Sequence, residues 1–532
     1  MALTKSSADL YSQYEARMRK IADIKYAVAV LQWDQETYLP PKGAEFRGQQ
    51  MATLSEMAHE AFTSDALGDL LGELEGRGDL DDDQRRNVAL SLEDFTKQKK
   101  FSPGFIRLLS ETSSKCFHTW IRARTANSFA VYAGDLQSLV ALKREEAELA
   151  GYEKHPYDAL VDQFEKGCTV SLLDKVFNQV RPPLKDLLDR ILAQAPPDDS
   201  FLRGKRSEEG SGPANFAPNL HFASSAETGV PPPPFPKQQQ WDFGIDLIRQ
   251  MGFDFEAGRQ DISEHPFTTS FSPEDVRITT RIDENDFSHM TWSCIHEAGH
   301  ALYEQGLPRE YYGLPLGEYA SLSIHESQSR LWENNIGRSH PWWQHQYPML
   351  RARFPRPLDG ISEGQFYKGI NKVAASLIRT EADEVSYHFH VMIRYELEKQ
   401  LIEGSLSTAD IPAFWNERYD AYLGLKVPDD KQGCLQDVHW SHGSFGYFPT
   451  YSLGSFYAAQ LFAAAEMQEP ALRDNVRKGD TSLLLSWLRR NVHRYGRRYT
   501  SEELCQRATG EPLNIQFFLT YLFDKYNNIY KI

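Results

Sequence analysis

The 532-residue chain has few of the features that mark exported, membrane-bound or nucleic-acid-binding proteins. Its five cysteines are scattered without a C-x-x-C pair, which favours reduced thiols. The N-terminal stretch is charged throughout and lacks the apolar core of a secretory signal, and no run approaches the about 18 apolar residues that span a bilayer. The formal net charge of -16 argues against binding to nucleic acid or anionic lipid. We therefore expect a cytoplasmic protein without nucleic-acid or membrane partners.

Hydrophobic residues make up 41% of the chain, which is enough for a large core. Apolar positions between Ala8 and Asp34 recur every three or four residues, and this spacing predicts a helix that ends before Pro40. No internal repeat or sequence break isolates a catalytic part. The sequence thus predicts one mainly helical domain over residues 1–532. Further helices are predicted in three windows, 44–62, 102–151 with breaks, and 172–194.

Residues 195–240 interrupt the helical pattern, because they are polar, rich in proline and too poor in apolar residues to pack. We predict a flexible insertion there, with a polyproline ligand for a partner domain as the alternative. After it, β-branched and polar residues alternate in DVRITTRID at 275–283, which predicts a short strand. This strand would be the small β element of the fold.

The segment HEAGH at 296–300 carries the main chemical signal. It lies in a helix predicted from a Ser288 cap to Gln305, and four residues of helix turn through about 400°, so His296 and His300 project from one face and can bind one metal ion. Glu297 projects about 100° away, near enough to act as general base on the water that the metal binds. The alternative is a helix whose histidines pack against polar groups of the core.

A zinc hydrolase site usually has three protein ligands and one open position. Glu326, in HESQS on the next predicted helix (about 320–335), is the leading third ligand, because an antiparallel neighbouring helix can bring its carboxylate to the histidine pair. His325 is the rival, although it points about 100° away from Glu326. A role for Glu326 as an exposed helix carboxylate is the other alternative.

Arg379 carries a planar guanidinium that can pair with a carboxylate in a fork, such as that of a peptide C-terminus. It falls in a helix predicted over 369–403, where the residues alone favour an ion pair with Asp383 at i+4. A zinc endopeptidase or dipeptidase would not need this arginine. A peptide-binding protein without activity is the rival from another class, and the intact Glu297 argues against it.

The loop DVHWSHGSFGYFPTY at 437–451 is rich in glycine and aromatic residues, as expected of a segment that lines a cleft. His439 and His442 are candidates for contact with substrate. His442, Tyr447 or Tyr451 could donate a hydrogen bond to a developing oxyanion, although aromatic residues in such a loop more often pack. The sequence does not choose among the three.

Four further residues are weaker candidates. His265 and Arg277 precede the HEAGH helix and could shape a substrate groove, although a strand arginine is more often solvated or ion-paired. His388 and His390 lie two apart on the predicted helix and face nearly opposite sides, so they cannot bind one metal together. We interpret this second pair as structural.

Several separated segments, taken together, resemble the carboxypeptidase Taq family of zinc metallocarboxypeptidases. HEAGH and HESQ look like the family's metal-binding pair, and the opening WDQETYLPP at 33–41 and HPF at 265–267 are also similar to it. The insertion at 195–240 is the main departure, and it removes no motif residue. The other matching motifs are DVRIT at 275–279 (D-x-R-x-T), IRTEAD at 378–383 (I-R-x-x-A-D) and GCLQDVHW at 433–440 (G-x-x-Q-D-x-H-W).

The resemblance implies a helical clamshell with a deep central groove, a homodimer, and removal of single amino acids from peptide C-termini with broad specificity. It supports Glu326 as the third ligand of one Zn²⁺ per chain and Arg379 as the binder of the substrate's terminal carboxylate. Cobalt could replace zinc, since affinity order alone does not fix the metal.

Overall fold

The computed structural model describes residues 5–204 and 233–532, and helices dominate both ranges. The mainly helical class with a small β element is confirmed. None of the helices in these ranges is both long and apolar enough to cross a membrane. The first nine helices are α1 (Ser7–Thr37), α2 (Ala44–Phe62), α3 (Asp65–Glu75), α4 (Asp82–Lys99), α5 (Pro103–Ala126), α6 (Ala130–Ala150), α7 (Pro156–Val161), α8 (Val170–Leu192) and α9 (Lys237–Met251).

The second half of the chain supplies the helices that position the candidate site. The helices are α10 (Phe287–Glu304), α11 (Leu322–Arg330), α12 (His340–Arg353), α13 (Glu363–Ile370), α14 (Tyr387–Glu403), α15 (Ile411–Leu423), α16 (Pro449–Gln468), α17 (Leu472–Arg477), α18 (Ser482–Asn491), α19 (Ser501–Thr509) and α20 (Gln516–Tyr530). A seven-residue π-helix, Leu331–Gly337, continues directly from α11.

The sheet has three strands, β1 (Gly258–Ile262), β2 (Thr268–Ser272) and β3 (Asp275–Thr280), in the order β1-β3-β2. β3 pairs in parallel with β1 and antiparallel with β2. Both β2 and β3 pack against α10. The sheet therefore fixes the position of the helix that carries HEAGH.

Two hydrophobic cores are formed by the described residues. The larger one contains residues from α5 to α20 and includes the buried face of α10. The smaller one joins α1, α3 and α4 and receives Leu314 from the segment between α10 and α11. All five cysteines are buried and unpaired.

The predicted insertion at 195–240 is only partly within the described residues. Its edges are ordered and packed, since Phe201 and Phe235 are buried and α9 already begins at Lys237. The sequence did not predict these anchors, because a few aromatic residues are enough to anchor a segment that is otherwise polar. The insertion itself stays a prediction. Residues 205–232 lie outside the described ranges.

The long helix predicted over 369–403 was wrong. α13 ends at Ile370, α14 begins only at Tyr387, and the segment between them contains just a 3-10 turn at Arg379–Glu381. The carboxylate of Asp383 accepts hydrogen bonds from the backbone N–H groups of Ala374, Val385 and Ser386. These bonds take the place of helical hydrogen bonds, because an aspartate side chain can compete with the helix for nearby backbone N–H groups.

The start of α10 also differs from the prediction. Its N-cap is Asp286 rather than Ser288, since the Asp286 carboxylate accepts the N–H of Ser288 at 2.8 Å. Ser288 instead lies in the first turn. An aspartate at the cap satisfies one of the N–H groups that a helix start leaves unpaired.

Candidate metal centre

Three side chains from α10 and α11 converge on one point. His296 and His300 of α10 and Glu326 of α11 each offer one ligand atom, and these atoms all lie within 4.8 Å of one another. Oε2 of Glu326 is 3.7 Å from Nε2 of His296 and 3.5 Å from Nε2 of His300. Atoms bound at about 2.0–2.2 Å to one zinc ion are separated by roughly 3–4 Å, so the group fits a metal of this size.

The remaining ring nitrogens of both histidines are already engaged. Nδ1 of His296 is 2.9 Å from Oε2 of Glu333, and Nδ1 of His300 is 2.6 Å from Nδ1 of His325. His325 in turn contacts Glu304 at 2.8 Å through Nε2. A hydrogen bond at Nδ1 leaves Nε2 free to bind a metal, as in most histidine metal sites. The rival ligand His325 thus lies behind His300 rather than in the group.

The Glu326 carboxylate is held from two sides. Its Oε1 accepts a hydrogen bond from Nε of Arg330 at 2.7 Å. The hydroxyl of Ser329 lies 3.1 Å from its Oε2 and 2.8 Å from the main-chain oxygen of Glu326. Burial alone would raise the pKa of Glu326, but Arg330 and His296 outweigh it, and the pKa lies well below its usual range. Glu326 is therefore an anion although it is only 6% exposed.

The two histidines differ in their electrostatics. Burial and the neighbouring His325 lower the pKa of His300 to about 3, so its ring is neutral at pH 7, the form that binds metals. Burial also disfavours the charged form of His296, but Glu326 and Glu333 outweigh it and raise its pKa. Without a metal, a proton on His296 would partly neutralise these carboxylates.

Glu297 lies beside this group, and one of its carboxylate oxygens accepts a hydrogen bond from another side chain. The hydroxyl of Thr268, the first residue of β2, donates to Oε2 of Glu297 at 2.6 Å. Burial raises the pKa of Glu297, because the charged form loses hydration. The carboxyl is thus a stronger base than an exposed glutamate.

Two glycines allow the helices to approach so closely. A Cβ on Gly299 would lie 2.6 Å from Cα of Ser329, and a Cβ on Gly454 of α16 would lie 2.6 Å from Cγ of Glu326. Such contacts are too short for any side chain. Glycine at these two positions lets α10 and α16 pack directly against α11.

Arg379 belongs to a second buried cluster. Its Nε and Nη2 donate to Oδ1 of Asp437 at 3.1 and 2.9 Å, and Arg394 donates from Nε to Oδ2 of the same carboxylate at 2.7 Å. Nη1 of Arg379 donates to the hydroxyl of Tyr387 at 3.3 Å. Arg379 therefore forms its ion pair with Asp437 and not with Asp383, because the predicted helix is absent.

Tyr387 connects the two clusters. The guanidinium of Arg330 lies over its ring, 4.7 Å from the centroid, and Arg379 bonds to its hydroxyl. Tyr451 is also near, since the guanidinium of Arg379 lies 5.1 Å from its ring centroid. The candidate metal ligands and the candidate carboxylate binder thus flank one aromatic side chain.

The aromatic loop divides into two parts. Tyr447 packs against Tyr451, with ring centroids 5.2 Å apart, and His439 packs on Phe448 at 4.6 Å. Burial raises the pKa of Tyr447 and lowers that of His439 to about 4. His442 differs, because its exposed ring lies on Phe117 of α5 at 4.8 Å. No contact ties His442 to the metal group within the described part of the chain.

Two further candidates lie at the sheet. Arg277 is sandwiched between the rings of Trp33 and Phe271 and donates twice to Asp275 at 2.9 Å, so it joins α1 to the sheet. His265 is exposed, and its main-chain oxygen accepts a hydrogen bond from Ser263.

The histidine pair in α14 has separate partners, as expected for structural residues. His388 contacts the hydroxyl of Ser452 at 3.0 Å, and His390 contacts that of Tyr419 at 2.9 Å. Both are almost fully buried. They face different parts of the core.

Sequence reasoning missed the residues that hold the candidate ligands in place. Arg330 and Glu333 follow Glu326 by four and seven positions, so helical spacing could have placed them on its face. Thr268 had no such signal, because its contact with Glu297 depends on how the sheet packs.

Comparison with known proteins gives consistent matches along the chain. The family model described as carboxypeptidase Taq (M32) metallopeptidase matches residues 13–212 and 220–526. The chain is 37% identical to thermostable carboxypeptidase 1 of Thermus thermophilus, over 96% of this chain and 97% of the relative, and 35% identical to carboxypeptidase 1 of Bacillus subtilis, over the same shares. The crystal structure of the M32 carboxypeptidase from Deinococcus radiodurans superposes with a TM-score of 0.91 at 37% identity and covers 98% of this chain and 100% of that one.

Proposed function

Because the chain belongs to the carboxypeptidase Taq (M32) family of metallopeptidases, we propose that it removes single amino acids from the C-termini of peptides with broad specificity. Membership makes the chain a metallocarboxypeptidase that acts on peptides with a divalent metal. The observation that carries the proposal is the convergence of His296, His300 and Glu326 beside the buried carboxyl of Glu297.

Zinc is the proposed metal, with one ion per chain. Two histidines and one glutamate form a usual ligand set of catalytic zinc, which leaves one position open. A zinc ion held there would polarise the scissile carbonyl and lower the pKa of a water molecule toward about 7. Cobalt or another divalent ion could occupy the same donors, because geometry and availability rather than affinity order select the metal.

Glu297 is the proposed general base. Its carboxylate takes a proton from the attacking water and returns it to the leaving amine, which requires reach to both atoms. Tyr447, Tyr451 or His442 would donate a hydrogen bond to the developing oxyanion, a contribution of about 3 kcal/mol. Tyr447 and Tyr451 both lie near Glu326, whose charge adds to the effect of burial in raising the pKa of each phenol.

Arg379 is the proposed partner of the substrate's terminal carboxylate. Three of its five N–H groups bind Asp437 and Tyr387, which leaves two for a ligand. Asp437 lies between two guanidiniums, so the cluster keeps one net positive charge. An amidated peptide end would lose this attraction.

The other roles stay predictions from the sequence. His442 stays a predicted substrate contact, and His265 and Arg277 stay predicted to shape the substrate groove. The homodimer and the cytoplasmic location also stay predictions.

The test compares one N-blocked peptide with a free C-terminus and the same peptide with an amidated one, with products followed by mass. We expect stepwise loss of single residues from the free form only, abolished by a chelator and restored by zinc. Glu297→Gln should keep the metal and lose about 10²–10⁴-fold in kcat. Equal internal cleavage of both peptides would contradict the exopeptidase assignment, and bound zinc without hydrolysis would indicate a binding protein.

A further inference from the structure

Thr268 contacts the proposed base through a single hydroxyl. Its Oγ1 lies 2.6 Å from Oε2 of Glu297 and 3.0 Å from the main-chain oxygen of the same residue. A hydroxyl has one proton, so it can make one full hydrogen bond as a donor at a time. The carboxylate oxygen is nearer, and a bond to a charged acceptor is stronger. The proton therefore lies toward Oε2 when Glu297 is ionised.

The two oxygens of the Glu297 carboxylate are consequently not equivalent. Oε2 is bound by Thr268, whereas Oε1 accepts no hydrogen bond from any residue in the ranges 5–204 and 233–532. A carboxylate that moves a proton needs one oxygen free and must not rotate between productive and unproductive positions.

We propose that Thr268 is a positioning residue for the proton transfer, an inference that rests on the proposed function. Its hydroxyl engages Oε2 and leaves Oε1 to do the chemistry. An O–H bond of the attacking water breaks as an H–Oε1 bond forms. That bond then breaks as an N–H bond forms on the leaving amine, and Glu297 returns to its carboxylate form with Thr268 still bound to Oε2.

The surroundings of Thr268 suit this role. Thr268 pairs with Ile278 of β3, which is fully buried, so the strand residue has little freedom. A β-branched side chain is restricted at χ1, which fixes the direction of its hydroxyl. Sites on strands and helices hold geometry more accurately than sites on loops. The position of Glu297 is thus set from two rigid elements, α10 and β2.

A second hydroxyl bond joins the sheet to α10, from β3 instead of β2, and it provides a matched control. The hydroxyl of Thr280 in β3 is 2.8 Å from that of Ser293 in α10, and Thr280 is fully buried. This bond ties the sheet to the same helix without touching Glu297. A purely structural tie between sheet and helix would make Thr280 and Thr268 equally important.

The experiment measures kcat and KM of zinc-loaded full-length protein on the N-blocked peptide for Thr268→Val, Thr268→Ser and Thr280→Val. We expect Thr268→Val to lower kcat by about ten- to hundredfold, since small misplacements of a catalytic group cost this much, with KM changed less than about twofold. Thr268→Ser, which keeps the hydroxyl, should recover kcat to within about threefold of the wild type. Zinc content should not change in any variant. If Thr268→Val lowers the melting temperature, Thr268→Ala provides a second variant without the hydroxyl.

The outcomes separate this inference from the proposed function. A wild type without carboxypeptidase activity would overturn both. An active Glu297→Gln would overturn the role of Glu297 as general base, and with it that of Thr268, but not the proposed carboxypeptidase activity. An active wild type and an inactive Glu297→Gln, combined with normal kcat in Thr268→Val and Thr268→Ala, would overturn the role of Thr268 alone. The same follows if Thr280→Val loses as much kcat as Thr268→Val, or if Thr268→Ser shows no recovery.

Discussion

The metal cluster (His296, His300 and Glu326 with the groups that hold them) and the arginine cluster (Arg379, Arg394 and Asp437) are both buried and charged, but with opposite signs. In the metal cluster, three carboxylates face two guanidiniums, since Glu304, Glu326 and Glu333 accompany only Arg330 and Arg338. In the arginine cluster, two guanidiniums face one carboxylate. One cluster therefore lacks a positive charge and the other lacks a negative charge.

This difference indicates what each cluster can bind. Buried charge is costly unless it is paired, so an excess of one sign favours a ligand of the other. A divalent cation would offset the one excess negative charge of the metal cluster, and a carboxylate would neutralise the arginine cluster. Tyr387 touches both Arg330 and Arg379, so the two ligands would lie on either side of it. A peptide end near a metal meets this requirement.

Replacing Glu326 should have the largest effect on zinc binding, because it removes a candidate ligand and a negative charge from the metal cluster. We expect Glu326→Gln to weaken zinc binding by more than the roughly 10–100-fold that loss of an outer partner costs. Competition with a chelating dye would measure the affinity. Glu384→Gln is the control, since Glu384 is equally buried and paired with Lys525 outside the cluster. Wild-type zinc affinity in Glu326→Gln would contradict the assignment.

Replacing Arg379 by lysine tests the arginine cluster while keeping its charge. A charge-assisted bond contributes about 1.5–3 kcal/mol, so the preference for a free over an amidated peptide should fall by roughly one to two powers of ten. The ratio of kcat/KM for the two peptides would show this.

Arg394→Lys is the matched variant for Arg379→Lys. Arg394 shares Asp437 but has no exposed surface, so it cannot reach a ligand. Its replacement should lower the melting temperature and leave the preference for a free C-terminus unchanged. An unchanged preference in Arg379→Lys would separate the arginine cluster from substrate binding.

The metal cluster was more predictable from sequence than the arginine cluster for a physical reason. His296 and His300 follow helical spacing, and the structure brings them to Glu326, as the sequence predicted. Arg379 instead meets a carboxylate 58 positions away, across a segment that was wrongly predicted as helical. Local spacing reports on one helix, whereas ion pairs between distant segments depend on tertiary packing.

Replacing Glu333 tests how strongly a residue that holds a ligand, but does not bind the metal itself, affects zinc affinity. Glu333→Gln keeps the shape and removes one negative charge beside Nδ1 of His296. Zinc affinity should fall about tenfold, the lower end of the roughly 10–100-fold range for loss of an outer partner, because an amide oxygen can still accept a hydrogen bond from Nδ1. The same dye competition measures it. A loss as large as that in Glu326→Gln would show that Glu333 does more than orient His296.

The smallest effect is expected at His442, which lies outside both clusters. Its exposed ring packs on Phe117 of α5, and partial burial disfavours its charged form, so the pKa is lowered. His442→Ala should change kcat/KM less than about twofold, whereas Tyr447→Phe, in the same loop but near Glu326, should cost about 3 kcal/mol in transition-state stabilisation if Tyr447 is the oxyanion donor. Steady-state kinetics on the free peptide would compare them. A large loss of kcat/KM in His442→Ala, with normal values in Tyr447→Phe and Tyr451→Phe, would identify His442 as the oxyanion donor. Because His442 packs on α5, that helix would then form part of the substrate site.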